Sequence, residues 1–381
     1  MQSRIVFAFA CLIFFCSCFS GPERRKLAGK QGDLRPTAYA TGFTIQQIGT
    51  LKKLTVIDPW QKSSNNIFEY YLVRRGDPVP AELQAKQIFF TPVKNVVCLS
   101  TTHIGFLDAL GETTSVSGLS GTAYLTNREL KKGVAENRIR EVGNEQGLNY
   151  EMIVQLKPDV VFAYGVGSEI NAQINKLRDL GIPVVLVGEY LEKSPLAKAE
   201  WIKFFGTFYN KTQQADSIFG QIKSNYEAIK SVVANESEKP SVLTGLPFKD
   251  TWWIAGGQSN LAMLIQDAGG QFLWKENQSA EAFPVSLEEV FLRAAKADWW
   301  INCGSVQNLE ELISFDPRFS ELPAVKGLHI FNNNLRSTPG GGNDYWESGV
   351  VHPDLILSDL VKIFHPKLRS DKEFYYYQQV K

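Results

Sequence analysis

The stretch Glu151-Met152-Ile153-Val154-Gln155-Leu156-Lys157-Pro158-Asp159-Val160-Val161-Phe162 decides the fold. An acidic residue opens a short helix with an apolar face at Ile153, Val154 and Leu156. Lys157-Pro158-Asp159 stops it, and the apolar run that follows reads as a buried strand. The same phrase returns in the last third of the chain. There it runs Ser286, Glu288, Val290-Phe291, Ala294-Ala295, a Lys296-Ala297-Asp298 stop, then Trp299-Trp300-Ile301. One helix–strand unit written twice at this separation predicts two lobes of similar build enclosing a cleft.

The flanking sequence extends each copy into an α/β lobe. Before the first copy, Val96 to Ser100 reads as a strand ending in Thr101-Thr102-His103, followed by a helix through Phe106, Leu107 and Leu110. Val116-Ser117-Gly118 is a second strand. After the copy come a helix from Ile170 to Leu180, closed by Gly181, and a strand from Val184 to Val187. Strands alternating with helices predict a doubly wound, mostly parallel sheet covered on both faces. Residues 93–193 form the first lobe and 239–381 the second, with a strand at Ser241 to Leu246, a loop carrying Trp252-Trp253, a strand at Leu328 to Phe331 and a helix at Leu355 to Phe364. Between them, Ser194-Pro195 and the beat of Ile202, Phe205, Ile218, Ile222, Tyr226 and Ile229 predict a single long spine helix over 194–238. Residues 45–92 read as an added hairpin, from the β-type runs Leu54 to Ile57 and Phe68 to Val73. The tail Phe374-Tyr375-Tyr376-Tyr377 has no assigned place.

The amino terminus reads as a targeting segment. Arg4 and the apolar run Ile5 to Phe15 form a signal peptide over 1–17, too short to span a bilayer. Ser17 before Cys18 makes Cys18 the expected lipidation site, and residues 18–44 a polar tether to the membrane. The other two cysteines of the processed chain, Cys98 and Cys303, read as buried thiols. Lys+Arg and Asp+Glu balance at 40 each, so no net field points to nucleic acid.

Catalytic signatures are absent. No Gly-x-Ser-x-Gly elbow occurs, and Gly340-Gly341-Gly342 lacks the Lys-Ser/Thr of a phosphate loop. The four histidines are scattered, and no protein-bound metal is expected; of them only His103 sits in a strand-end loop. Ligands of open α/β sheets settle beyond the carboxyl ends of strands. In the first lobe those ends carry Thr101, Thr102, His103, Ser120, Tyr164 and Tyr190. The second offers Trp252, Trp253 and Asn302, with Tyr345 and Trp346 in a later loop. Large aromatic faces among hydroxyls and amides suit a bulky, partly apolar ligand.

These features resemble the substrate-binding proteins of ATP-driven importers for ferric siderophores, haem and cobalamin. The likeness rests on Asn149-Tyr150-Glu151 through Lys157-Pro158-Asp159-Val160-Val161, on Val285-Ser286-Leu287-Glu288-Glu289-Val290, on the lipid signal and on the mid-chain spine. It runs from about Val93 to His365. The resemblance implies a lipid-anchored periplasmic receptor, monomeric and without enzymatic activity or resident cofactor, that delivers an iron complex or cobalamin to a membrane permease and its ATPase. It implies that one glutamate per lobe meets permease arginines: Glu151, and either Glu288 or Glu289. Two departures stand out. The 45–92 segment is extra, and no arginine cluster lines the strand ends to grip an anionic catecholate, although Arg128 and Arg336 can approach them; this favours cobalamin or a neutral chelate. A receptor for bare zinc or manganese bound by His103 with acidic partners, and an envelope haem-handling enzyme or chelatase, are the alternatives.

Overall fold

The computed structural model describes residues 32–83, 87–144, 147–166, 170–249 and 251–381. The leader, Cys18 and the first part of the tether lie outside the described residues.

Two doubly wound α/β lobes carry the chain. In the first, five parallel strands lie in the order Val184–Leu186, Val160–Ala163, Val96–Cys98, Val116–Leu119, Arg140–Glu141. The three at the 184 side are buried along their whole length, as their unbroken apolar content requires of strands with helices on both faces. In the second lobe the order is Gln271–Phe272, Ser241–Thr244, Trp299–Ile301, Ile330–Asn332, Gln378–Gln379, parallel except for the last pair. That last strand gives the tail its place. Asp359 accepts the backbone N–H groups of Tyr375, Tyr376 and Tyr377 at 3.0, 2.7 and 3.1 Å, and the chain then pairs along the sheet edge.

The repeated phrase folds the same way in both lobes. Asn149 caps the helix Tyr150–Leu156 by accepting the Met152 N–H at 2.9 Å, and Ser286 caps Leu287–Ala294 by accepting the Glu289 N–H at 3.3 Å. Glu151 and Glu288 therefore hold the same position, two residues past the cap. The stops match as well. Asp159 accepts the N–H groups of Lys94 and Asn95 and returns its own N–H to the Asn95 carbonyl at 2.7 Å. Asp298 accepts the N–H and hydroxyl of Ser241 and returns its N–H to the Ser241 carbonyl at 2.9 Å. Each aspartate thus pins the end of its loop to the start of the neighbouring strand.

The spine differs from the expectation of one helix from Ser194. It comprises Pro195–Glu200, Ile202–Phe208 and then a 21-residue helix, Thr212–Val232. Asn210 takes a left-handed backbone (φ 58°) that breaks the run, and the Ile202–Phe208 helix folds back on the long one. Gly206 permits that approach, since a Cβ there would lie 2.7 Å from Ala215 Cβ.

The extension is a sheet and not a hairpin, and it begins inside the expected tether. Strands Asp33–Arg35, Phe43–Ile48, Leu51–Ile57, Ile67–Arg74 and Ile88–Thr91 lie in sequence order, antiparallel except for the last pair. Its alternating apolar face (Phe43, Ile45, Leu54, Val56, Tyr70, Leu72) joins one core with Trp201, Phe204 and Phe208 of the spine. Two buried carboxylates fasten the link between its first two strands. Glu200 accepts the N–H groups of Ala38, Tyr39 and Ala40 at 2.8–2.9 Å, and Glu192 accepts those of Thr41 and Gly42 together with the Trp201 indole N–H. The stretch Trp252-Trp253 likewise lies in a strand, Thr251–Ile254, flanked by Pro247–Phe248 and Phe283–Ser286.

Candidate functional site

A cleft of about 540 Å³ opens where the lobes, the spine and the extension meet. Strand ends position its second-lobe wall. Asn302 follows Trp299–Ile301 in a left-handed turn (φ 58°), and its side-chain carbonyl accepts the Tyr377 hydroxyl at 2.8 Å. Tyr345 packs edge-on to Tyr376, Tyr377 and Trp346, and burial pushes its hydroxyl up to about 12. Trp346 remains 55% exposed, presenting an indole to the opening. The first lobe contributes Tyr190, whose hydroxyl donates to the Gly165 carbonyl at 2.8 Å, and the spine contributes Lys198. Burial lowers the Lys198 pKa against the opposing pull of Glu189. Gln61 of the extension completes the wall. The cleft offers aromatic faces and amides, a lining suited to holding a sizeable ligand in orientation.

Of the strand-end residues singled out in the sequence, Tyr190, Asn302, Tyr345 and Trp346 come together on this cleft, and the others do not. His103 is fully buried, ringed by Phe162, Phe205 and Tyr164, with both ring nitrogens unpartnered and its pKa lowered by burial to about 3. It is a core residue and not a strand-end ligand. Trp252 is also core: its indole N–H donates to the Thr244 carbonyl at 3.0 Å and its ring packs on Trp300 and Phe319. Trp253, on the opposite face of that strand, is exposed but off the cleft. Thr102 donates to Glu189 at 2.8 Å beneath the surface, and Thr101, Ser120 and Tyr164 do not line the cleft.

The glycine run explains part of this. Gly340-Gly341-Gly342 lies against Ala123 and Tyr124 of the first lobe, where a Cβ at Gly342 would collide with the Tyr124 carbonyl. Next to it the Glu347 carboxylate accepts the N–H groups of Thr126 and Asn127 at 2.7 Å each. The second lobe thus covers the loop after Ser120. Arg128 and Arg336 stand in a separate, more polar groove of about 550 Å³, where Arg336 is paired with Asp344 at 2.5 Å. Gln61 and Lys198 carried no sequence signal for the site: one sits in a Ser/Asn-rich loop, the other inside the spine.

Outside the cleft, Glu151 and Glu288 are both exposed, whereas Glu289 bridges Arg293 at 3.3 Å. Among the described residues no group of three His, Cys, Asp or Glu side chains is placed to hold a metal, and no helix is long and apolar enough to cross a membrane. Cys98 and Cys303 are buried free thiols, their pKa values pushed up by burial.

Two doubly wound lobes joined by a long helix, with a cleft carrying Tyr190, Tyr345 and Trp346 at their meeting, define a bilobal binding protein. The chain belongs to the periplasmic binding protein family, whose signature matches residues 96–333. An uncharacterized lipoprotein of Methanocaldococcus jannaschii is 26% identical over 323 residues, covering 81% of this chain and 75% of that one. A vitamin B12-binding protein of Vibrio vulnificus strain YJ016 is 23% identical and covers 64% of this chain and 82% of its own. Among solved structures, a possible iron-binding periplasmic solute-binding protein from Staphylococcus epidermidis superposes with a TM-score of 0.56 at 20% identity, covering 72% of this chain and 100% of its own.

Proposed function

We propose that this protein is the solute receptor of an ATP-driven importer, capturing an iron complex or cobalamin in the cell envelope and handing it to a membrane permease. The observation that carries the reading is the matched placement of Glu151 and Glu288, exposed at the same cap position of equivalent helices in the two lobes. Carboxylates fixed on two similar lobes suit docking to two-fold related arginines through charge-assisted pairs. Glu289, already engaged by Arg293, is the poorer second partner. The cleft supports the cargo assignment, since Tyr190, Tyr345 and Trp346 provide apolar area for a large metal chelate and Asn302 and Gln61 provide polar contacts to its rim. In this reading Cys18 carries the lipid that keeps the receptor at the membrane, and the receptor itself catalyses nothing. The vitamin B12-binding relative and the possible iron-binding structural neighbour point to the same cargo class. Visible absorption of the protein purified from its own host tests the cargo. A corrin, haem or ferric-chelate spectrum is expected. A colourless protein that takes up neither cyanocobalamin nor hemin refutes the reading.

A further inference from the structure

The Staphylococcus epidermidis structure is covered whole by 72% of this chain, and the family match begins at residue 96, beyond the last strand of the amino-terminal sheet. That sheet is therefore an addition to the frame, and it is built into it. Glu192 and Glu200 hold residues 38–42, the Leu186 N–H donates to the Tyr70 hydroxyl at 3.0 Å, and Arg75 pairs with Asp159 at 2.7 Å. One loop of the sheet, Asp58 to Asn66, reaches the rim of the first lobe. The Asp58 carboxylate gathers it by accepting the Ser63 hydroxyl and the Asn66 N–H, both at 2.9 Å. Trp60 is buried in the same cluster as Leu99, Ala163 and Leu186, at the carboxyl ends of three first-lobe strands. Pro59 abuts Gly188, and the Gln61 N–H donates to the Val166 carbonyl at 3.1 Å. The loop therefore occupies the strand-end rim of the first lobe, and the Gln61 side chain lies on the wall of the cleft.

We infer that the Asp58–Asn66 loop is a third wall of the cargo site and that Gln61 is a specificity-determining residue, its carboxamide recognising amide or carboxylate groups on the rim of a bulky metal chelate. This rests on the receptor reading above and adds which part of the chain selects the cargo. A carboxamide donates and accepts, so it matches either group, and its backbone is fixed by the bond to Val166. The loop lies outside the family match at residues 96–333, so this wall comes from outside the two lobes.

The test titrates the mature full-length protein with cyanocobalamin and with hemin, followed by quenching of tryptophan fluorescence. Gln61→Ala removes the polar contact, Gln61→Trp fills the wall, and Lys62→Ala is the control at the exposed neighbour. Whichever probe the unmodified protein binds is expected to lose about tenfold or more in affinity in Q61W and a smaller factor in Q61A, with K62A unchanged. Gln61 is only partly buried, so neither variant threatens folding, and equal melting temperatures check this. Unmodified affinity in both Gln61 variants overturns this inference and leaves the receptor reading standing. Failure of the unmodified protein to bind either probe, when the protein from its own host is also colourless, refutes the receptor reading, and the selecting role of the loop falls with it.

Discussion

Replacing Glu200 by glutamine isolates the fastening of the added sheet. The carboxylate has no solvent exposure and accepts three backbone N–H groups, from Ala38, Tyr39 and Ala40, while Lys203 pairs with it at 2.8 Å. Burial alone would raise its pKa, but the Lys203 ammonium and the three N–H donors outweigh that and hold it below the usual value. A neutral amide keeps the shape and changes the chemistry. The two N–H bonds that keep an oxygen fall from the charged to the neutral class, a loss of about 1 kcal/mol apiece, and the third N–H, facing the glutamine NH₂, loses its acceptor at about 2 kcal/mol. The expected cost is about 4 kcal/mol. For a chain of this size, with an unfolding entropy of ~0.8 kcal/mol/K, that lowers the melting temperature by about 5 °C. Urea unfolding followed by tryptophan fluorescence reads the same quantity, with the exposed Glu310→Gln as control. Because the folded pKa is depressed, the carboxylate's contribution is complete above the unfolded glutamate value of ~4.3 and is lost as pH falls through the lower folded value. The difference between the two proteins should therefore vanish in acid. A loss below about 1 kcal/mol at pH 7 would show that residues 38–40 are not held by Glu200.

Other consequences concern residues whose sequence position suggested ligand contact. His103 has a folded pKa of about 3 against an unfolded value of ~6.5, so between these the unfolded chain binds a proton that the folded protein refuses. Stability should be complete above pH ~6.5 and fall by about 1.4 kcal/mol per pH unit below it; His103→Phe should remove that part of the slope in pH-dependent urea titrations. Trp252→Ala should cost about 3–5 kcal/mol by opening the core against Trp300 and Phe319, while Trp253→Ala on the exposed face should stay within about 1 kcal/mol by thermal melting.

What could be read from the chain follows from how local each signal is. The Glu151 and Glu288 phrases were legible because cap, helix, stop and buried strand all lie within a dozen or so residues, and the aspartate stops complete them through the adjacent strand. The cap register also separates Glu288 from Glu289, which spacing to Asp298 alone left open. Trp252 misled because a side chain on a strand can face cleft or core, and one residue of register decides which; His103 misled because it lies past the strand end, on the buried face of the helix Thr102–Ala109. Trp252 and Trp253, neighbours on one strand, show both outcomes. The extension was half visible. Its long strands alternate, but Asp33–Arg35 and Ile88–Thr91 are too short to carry a period, and their partners are chosen by pairing. Glu192 and Glu200 gave no sign of their role, since the amides they hold lie more than a hundred residues earlier. The tail is the same case, ordered by Asp359 and by pairing with Ile330–Asn332.

The central claim is that Glu151 and Glu288 together present the loaded receptor to a permease. Its most direct test is cellular uptake of the bound chelate by a receptor carrying Glu151→Arg and Glu288→Arg, beside its chelate affinity in solution and beside Glu289→Arg alone. The account predicts that the double reversal abolishes uptake with affinity unchanged and that Glu289→Arg leaves uptake near normal. Uptake at the unmodified rate by the double variant would contradict it.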